Sequence, residues 1–251
     1  TGEYDKNLGK VVVTLNPDGT EKENISLIDK KSAMTMVEDP DMVKIVKEIS
    51  ANQAKITETI VGKTDVKLVG DRAVVRTGES NLADLLTDAM LWKTGADIAL
   101  TNGGGIRSSI DVGDITRGEV IQVLPFGNYV IVQELTGADV IAALENGTAG
   151  YPSQHGAFSQ VAGIKYSFDP SKPVGQRIVS VTMANGESID KNKTYKVATN
   201  DFIAAGGDLY VMFKGKKVIG NYEGLDEILT AYIASGAKAK DGVDGRVKVI
   251  N

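Results

Sequence analysis

The chain of 251 residues carries 42% hydrophobic and 24% charged residues, which favours a folded, soluble globular protein with a substantial core. Its formal net charge of -5 argues against a general surface for nucleic acid polymers and leaves room for a local small-anion site, while no apolar stretch approaches the roughly 20 residues that span a bilayer. The absence of Cys excludes disulfides, thiol nucleophiles and thiolate metal sites, and a single histidine, His155, excludes a histidine-rich metal centre.

The chain begins with a pattern typical of a hairpin followed by a helix. Residues 11–15 and 25–28 are two β-like runs, and the Pro and Gly in residues 16–19 supply a turn between them. A helix is predicted from residue 39 or 40 to about residue 56, because apolar side chains recur there with helical spacing after an Asp-Pro start.

The rest of the chain alternates strand-like and helix-like segments irregularly. The clearest helix is at residues 80–91, because Ser80 can cap its N-terminus and apolar side chains recur on one side. The other predictions are short strands near 57–61 and 66–69, a β-like run at 96–101, a helix at 116–124 ended by Pro125, a strand at 128–135, a helix at 136–145 stopped near Asn146 and Gly147, strands between 163 and 197, a helix at 225–235 and a strand at 247–250. This mixture favours an α+β fold, with mixed sheets and packed helices, over a doubly wound sheet.

A glycine-rich loop follows the β-like run at residues 96–101. Residues 102–107, Asn-Gly-Gly-Gly-Ile-Arg, join that run to a turn ending in a cation. Consecutive glycines are tolerated where φ is positive or where another group approaches the main chain closely, and the guanidinium of Arg107 suits a phosphate or a carboxylate. The spacing matches neither the dinucleotide nor the Walker pattern. The loop therefore predicts either a ligand-binding turn or a simple tight turn beside a solvated arginine.

A second glycine-containing loop favours the ligand-binding interpretation. Residues 200–208, NDFIAAGGD, follow another β-like run at 194–199 and combine a glycine pair with polar side chains and one aromatic ring. Two such loops suggest one shared cleft.

A Ser-His-Asp triad around His155 lacks the G-x-S-x-G nucleophile elbow, and no calcium-loop pattern is present. The residues therefore give no support to a catalytic triad or a calcium loop, and a hard cation held by carboxylates stays open.

Four motifs, taken in order, resemble the C-terminal domain of the 5′-nucleotidase family. They are residues 71–82, with two arginines before a helix, residues 102–107, residues 124–128, LPFGN, and residues 200–208. Each fragment alone is a weak signal, and the four in sequence are a strong one. The resemblance covers roughly residues 56–251, which it implies are a nucleotide-binding domain.

The resemblance also implies an organisation in which catalysis and substrate binding are divided between domains. Full-length members carry an N-terminal metallophosphoesterase domain with two divalent metal ions and a catalytic His-Asp pair. Residues 1–38 are then a residual hairpin from the end of that upstream domain, and residues 39–55 are a linker helix. Residues 1–6, TGEYDK, resemble neither a start methionine nor a leader peptide, which agrees with an excised part of a longer chain.

The matching motifs imply a role for individual residues. Phe126 and Phe202 resemble the two aromatics that sandwich the base, and stacking of a base on an aromatic ring contributes about 1–3 kcal/mol. Asp208 resembles the residue that bonds to ribose hydroxyls. Taken alone, a phenylalanine is more often a core side chain than a ligand platform, and the aspartate is compatible with a simple turn cap. The remaining substrate-binding residues implied by the family are Arg72, Arg76 and Arg107 for phosphate or sugar, Asn102 and Asn128 as contacting amides, and Gly104 in the glycine-rich loop.

Two residues depart from the family pattern. Ala205 stands where a polar residue is frequent, and Leu209 follows Asp208 where Gly is frequent. If the family uses Gly there for a positive φ, Leu209 is strained and Asp208 points differently. The base preference therefore stays open.

The resemblance implies the substrate-binding domain of a phosphoesterase that hydrolyses nucleotides to nucleosides and phosphate in nucleotide catabolism. The chain alone is predicted to be inactive and to bind no cofactor, because the dimetal domain is missing from it. A nucleoside monophosphate, a 2′,3′-cyclic nucleotide and a nucleotide sugar such as a UDP-sugar all remain open as substrates, and a non-catalytic nucleoside or nucleotide-sugar binding module is the alternative. An extracytoplasmic location, whether secreted, cell-surface or periplasmic, also follows from resemblance alone, and a homodimer stays open.

Overall fold

A computed structural model describes residues 6–250 of the chain. The chain divides into two compact units, Thr1–Gln53 and Ala54–Asn251. Within the described residues, no helix has both the length and the apolar composition needed to cross a membrane.

The first unit is built on a β-hairpin. Its two strands are antiparallel and pair along their whole length, from Asn7 opposite Asp29 to Leu15 opposite Glu21. The elements are β1 (Asn7–Leu15), β2 (Glu21–Asp29), α1 (Lys30–Ala33) and α2 (Pro40–Thr57), the last of which runs past Gln53. The hairpin and the long helix confirm the sequence predictions, whereas the sequence does not predict the single turn of α1.

The second unit contains strands and helices in an irregular order, as an α+β fold requires. Its helices are α3 (Arg72–Val75), α4 (Asn81–Thr94), α5 (Arg117–Val123), α6 (Gly137–Thr148), α7 (Asp201–Ala204) and α8 (Leu225–Ala234). Its strands are β3 (Ile60–Thr64), β4 (Ile98–Asn102), β5 (Gly113–Thr116), β6 (Tyr129–Thr136), β7 (Ser159–Ala162), β8 (Ile164–Phe168), β9 (Ile178–Met183), β10 (Thr194–Asn200), β11 (Val218–Gly224) and β12 (Val247–Val249).

A five-stranded sheet of order β11-β6-β10-β4-β7 is the largest in this unit. The neighbouring strands β4 and β10 are parallel; β6 is antiparallel to β10, and β7 is antiparallel to β4. The carboxyl ends of β4 and β10 therefore share one edge with the starts of β6 and β7, as the pairing of Asn200 with Val130 and of Asn102 with Ser159 shows. Loops at four places in the sequence meet at this edge.

Helix α4 forms much of the core beside this sheet. Ser80 caps it by accepting a hydrogen bond from the amide of Ala83, and Gly95 ends it in a left-handed conformation at φ 61°. The apolar side predicted from the sequence is buried, with Leu82, Leu86 and Ala89 fully inaccessible. Smaller sheets, β12-β8-β9 and β3-β5, complete the unit.

A buried ionic cluster ties the C-terminal segment to α4. Arg246, 8% exposed, contacts Asp88 at 2.8 Å, Asp244 at 2.7 Å and Asp84 at 3.4 Å. Burial raises the pKa of Asp84 to about 7 in spite of Arg246, and the neighbouring carboxyl of Glu79 adds to the rise. Asp84 thus takes up a proton near neutral pH.

One sequence prediction in this unit is wrong. Residues 66–69 form no strand, because only Leu68 pairs, in a single bridge with Ile110. The helix predicted at residues 136–145 is confirmed as α6, which ends at Thr148, one residue beyond Gly147. Gly147 is buried where the helix meets Ser159 so closely that a Cβ atom would collide with that serine. The glycine therefore permits helix-to-strand packing and does not end the helix.

Candidate functional site

The glycine-rich loop at the end of β4 forms a single 3₁₀ turn, Gly103–Gly105. None of its three glycines has a positive φ. A Cβ atom on Gly103 would collide with the carbonyl oxygen of Val75, and one on Gly104 would lie 2.9 Å from the carbonyl oxygen of Gly156. Of the two reasons for glycine, close approach is therefore the one that applies here.

Phe126 lies in the tight turn between α5 and β6. Pro125 cannot continue the helix, and Gly127 takes a φ of 65°, so the chain reverses around the ring. The ring is 60% exposed, and the guanidinium carbon of Arg107 lies 5.6 Å from its centroid. Arg107 also donates to the carbonyl of Gly104 at 3.3 Å, so the cation is held between the ring and the glycine turn.

Phe202 follows β10 on the short helix α7 and is 44% exposed. Its ring packs against Gly207, where a Cβ atom would approach ring carbons to 2.5 Å. The amide of Asn128 donates to Asp201 at 2.7 Å, which joins the turn of Phe126 to the start of α7. Both exposed aromatic rings are therefore placed by glycine or amide contacts and not by burial in a core.

The loop after α7 carries Asp208 in an unusual backbone conformation. Asp208 and Leu209 have φ values of 48° and 64°, a region that residues with a side chain rarely adopt. Asn146 donates to the carbonyl of Asp208 at 3.0 Å, and the buried hydroxyl of Tyr210 bonds to the carbonyl of Ala157 at 2.5 Å. Burial raises the pKa of Tyr210, which keeps this anchoring hydroxyl protonated.

The four loops enclose one cleft of about 370 Å³. Two glycines that the sequence does not single out, Gly105 and Gly156, belong to its lining. Arg72 does not line the cleft; it lies one turn before Arg76, exposed on α3. The remaining lining residues are the other eight that the sequence singles out, Arg76, Asn102, Gly104, Arg107, Phe126, Asn128, Phe202 and Asp208.

The polar side chains that line the cleft include one carboxylate, that of Asp208. Asn102 donates from Nδ2 to Oδ2 of Asp208 at 2.8 Å. Arg76, Arg107 and Asn128 supply further donors along the lining. Such a site offers aromatic faces to a flat ring, a carboxylate to hydroxyl groups and guanidinium groups to an anion.

Sequence comparison identifies the family to which this arrangement belongs. The family model described as 5′-nucleotidase, C-terminal domain, matches residues 60–215. This chain belongs to the 5′-nucleotidase family. The resemblance inferred from the four motifs and the α+β fold class are both confirmed.

Relatives of known name extend the match over the whole chain. The trifunctional nucleotide phosphoesterase protein YfkN of Bacillus subtilis (strain 168) is 40% identical over 99% of this chain and 18% of its own length. The cell wall protein Lmo0130 of Listeria monocytogenes serovar 1/2a is 31% identical over 93% of this chain and 30% of its own length. The chain thus spans less than a third of the length of either of these two relatives.

A solved structure shares both the sequence and the fold. The 5′-nucleotidase precursor from Thermus thermophilus is 37% identical and superposes with a TM-score of 0.80, covering 99% of this chain and 51% of that one. The 5′-nucleotidase fold therefore accounts for the elements described above.

Proposed function

We propose that this chain is the substrate-binding part of a phosphoesterase that hydrolyses nucleotides to nucleosides and phosphate. The observation that carries the proposal is the exposure of two phenylalanine rings in one cleft that also holds a carboxylate and two arginines. Aromatic, acidic and cationic groups match the three parts of a nucleotide, which are base, sugar and phosphate.

The base is assigned to Phe126 and Phe202. The side chains of Phe126 and Phe202 are 60% and 44% exposed to water when no ligand is bound. A base stacked on both rings would remove that apolar surface from water. Stacking of a base on an aromatic ring contributes about 1–3 kcal/mol to the binding free energy, and the face of the ring accepts any base. The proposed site therefore recognises nucleosides with little base selectivity.

The sugar and the phosphate are assigned to the polar lining. Asp208 accepts hydrogen bonds from ribose hydroxyls, while Arg76 and Arg107 take the phosphate as planar donors. Asn102 and Asn128 supply amide groups to the same cleft. The family resemblance also predicts a contact of Arg72 with substrate, whereas the position of Arg72 outside the cleft lining favours no such contact. The variant Arg72→Ala distinguishes these two expectations.

Hydrolysis is assigned to a domain outside this chain. Between residues 6 and 250, the structure brings together no group of three or more His, Asp or Glu side chains suited to a metal ion. The residues present do not fit the two divalent ions that the family implies, so we place those ions on an upstream metallophosphoesterase domain. This chain contributes positioning of the substrate, which can lower a barrier by several kcal/mol.

The N-terminal part is assigned to the connection with that domain. We propose that residues 1–38 complete the upstream domain as a hairpin, that residues 39–55 form a linker helix, and that residues 56–251 are the nucleotide-binding domain. Residues 1–5 and 251 of these ranges lie outside the described residues. Apolar side chains on the helix support this assignment, because Met42, Ile45 and others are about half exposed. An extracytoplasmic location is proposed in view of the relative named as a cell wall protein.

Calorimetry with adenosine, AMP and UDP-glucose tests the binding proposal. The double variant Phe126→Ala/Phe202→Ala should lose at least tenfold in affinity for all three ligands. Tyr129→Ala is a matched control, because Tyr129 is also 44% exposed and does not line the cleft. Unchanged affinity in the double variant, or an equal loss in the control, would contradict the assignment of the base.

Activity assays separate the proposed enzyme part from a non-catalytic binding module. The purified chain should bind adenosine but hydrolyse neither AMP nor a 2′,3′-cyclic nucleotide with Mg²⁺ or Mn²⁺ present. The same chain joined to its own upstream sequence should hydrolyse one of these substrates or a nucleotide sugar. The isolated chain could instead hydrolyse a substrate, and a substitution within the chain could abolish that activity. This result would show that catalysis does not need another domain.

A further inference from the structure

We propose that Asn200 is a positioning residue for Asp208, acting through the side chain of Asn102. The inference rests on the proposed function, because it concerns the carboxylate assigned to the sugar. Asn200 is not among the residues that line the cleft, and it is only 2% exposed. Its effect on a ligand must therefore pass through another side chain.

The orientation of the Asn200 carboxamide is fixed by helix α7. The main-chain amide of Ile203 donates to Oδ1 of Asn200 at 2.8 Å, in the usual arrangement of a helix N-cap. A main-chain N–H can only donate, so the oxygen of the carboxamide must face the helix. The NH₂ group of Asn200 is consequently turned toward β4.

The NH₂ group of Asn200 meets the end of β4 at two acceptors. It donates to Oγ1 of Thr101 and to Oδ1 of Asn102, each at 3.1 Å. Because the oxygen of Asn102 is engaged in this way, its own NH₂ group points to Asp208, where it donates to Oδ2 at 2.8 Å. An ionised carboxylate only accepts, which agrees with this order from the other end.

The hydrogen bonds thus run in one direction, from the amide of Ile203 through Asn200 and Asn102 to Asp208. The glycine turn closes around the middle of this series. A Cβ atom on Gly104 would lie 3.3 Å from Nδ2 of Asn102, and one on Gly105 would lie 3.3 Å from its Oδ1. The missing side chains let the backbone pack against the carboxamide, which is itself only 5% exposed.

The series decides which group Asp208 offers to a ligand. Asn102 occupies one lone-pair site of Oδ2, so Oδ1 is the oxygen better placed to accept from a hydroxyl group in the cleft. If the Asn102 carboxamide turned over, its oxygen would face the carboxylate, and two acceptors would lie together without a proton between them. Asn200 prevents this reversal by occupying the oxygen of Asn102 with a donor.

Two variants of Asn200 test the proposal. Asn200→Ser keeps an N-cap oxygen for Ile203 but is too short to reach Asn102, and Asn200→Asp keeps the cap oxygen but has no donor when ionised. We expect each variant to weaken adenosine binding about tenfold, because a displaced Asp208 carboxylate would lose its hydrogen bond to the sugar, and tenfold is the usual scale for such a bond to a charged group. Asn200→Asp should regain affinity at acidic pH, where its carboxyl recovers a donor, when compared with wild type at the same pH.

A double-mutant cycle distinguishes positioning from general destabilisation. In an Asn102→Ala background the substitution Asn200→Ser should cost no further affinity, because the path to Asp208 is already broken. Any loss of thermal stability from the weaker cap should persist in that background. An equal affinity loss in both backgrounds would overturn the proposal.

A readout without ligand keeps the inference separate from the proposed function. The side-chain NH₂ resonances of Asn102 in ¹⁵N NMR spectra should shift in Asn200→Ser, because their hydrogen bond to Asp208 changes. If wild type binds adenosine, Asp208→Ala does not, and Asn200→Ser binds normally, the positioning role is wrong and the function stands. If wild type does not bind adenosine, the function is wrong, and unchanged Asn102 resonances would overturn the positioning role as well.

Discussion

The side-chain amide of Asn146, on helix α6, donates to the main-chain carbonyl of Asp208 at 3.0 Å. A residue outside the cleft lining thereby holds the backbone of a residue that lines the cleft. This hydrogen bond offsets part of the conformational free energy that the positive φ angles of Asp208 and Leu209 cost. The loop is therefore kept in a strained form by its surroundings, and this strain can be measured.

Replacing Leu209 with Gly should stabilise the protein. Leu209 has a φ of 64° and is 71% exposed, so the substitution removes backbone strain and few contacts. We expect a net gain of about 0.5–1 kcal/mol in the free energy of unfolding, since relief of about 1–2 kcal/mol is partly cancelled by the freedom of Gly in the unfolded chain. Urea unfolding measures the change. Leu209→Ala keeps the Cβ atom and is the control; equal stability of the two variants would contradict the prediction.

Adding one methyl group to the glycine turn should be severely destabilising. The Cβ atom of Gly103→Ala would collide with the carbonyl oxygen of Val75, a main-chain atom that cannot rotate away. We expect a loss of more than about 2 kcal/mol in the free energy of unfolding. Gly78→Ala is the control, because its nearest neighbour would be 3.9 Å away and its φ is not positive. A Gly103→Ala protein as stable as Gly78→Ala would show that the turn can move.

The stability contribution of Asp84 should decrease as the pH rises. Its pKa of about 7 in the folded protein lies above the unfolded value of about 3.9, so the folded state binds the proton more tightly. The contribution is full below about pH 4 and is lost as the pH rises through about 7. Asp84→Asn should therefore gain stability relative to wild type between pH 5 and pH 8, by on the order of 1–3 kcal/mol.

Asp244 provides a control of opposite sign for that measurement. Hydrogen bonds from Lys240 and Arg246 lower its pKa, so its contribution is present above the unfolded pKa and is lost as the pH falls. Asp244→Asn should be destabilising at neutral pH and less so in acid. Parallel pH profiles for wild type, Asp84→Asn and Asp244→Asn in urea unfolding would contradict both assignments.

Removing Arg107 should affect a phosphorylated ligand more than its nucleoside. Arg107 lines the cleft beside Phe126, so Arg107→Ala should weaken AMP binding about tenfold more than adenosine binding. Arg72→Ala provides the comparison, because Arg72 lies outside the lining and should change both affinities by less than about twofold. Calorimetry at one fixed salt concentration measures the four affinities. A larger AMP-specific loss for Arg72→Ala would support the family-based role of Arg72 over its position in the structure.

The sequence predicts those parts of the fold in which local signals and packing agree. The N-cap at Ser80 and the apolar stripe of α4 lead to a buried helix, and the Asp-Pro start leads to α2. Strand β7 escapes prediction because its four residues are buried on both faces and show no alternation. Strand β11 escapes because its pairing with β6 is irregular in two places.

The candidate site divides in the same way. Eight of the nine residues chosen from motifs line the cleft. Three of the four motifs follow or precede a strand that reaches the same sheet edge, and the fourth, which supplies Arg76, lies beside that edge through the contact of Val75 with Gly103.

Asn146 donates to the main chain of Asp208, and Asn200 donates to the side chain of Asn102. These residues are far apart in the sequence, so no local sequence pattern predicts their contacts. The one available signal is Asn200 itself, an Asn directly before a short helix, which is typical of an N-cap.

The parallel pairing of β4 with β10 has a consequence for how this protein tolerates change. Asn102 and Asn200 are 98 positions apart in the sequence, yet their separation in space is set by adjacent strands of one sheet. Additions to surface turns between them, such as the exposed one around Val174, lengthen the chain without altering that separation. Such a turn is the place to attach a fluorescent reporter or a second protein while keeping the cleft intact.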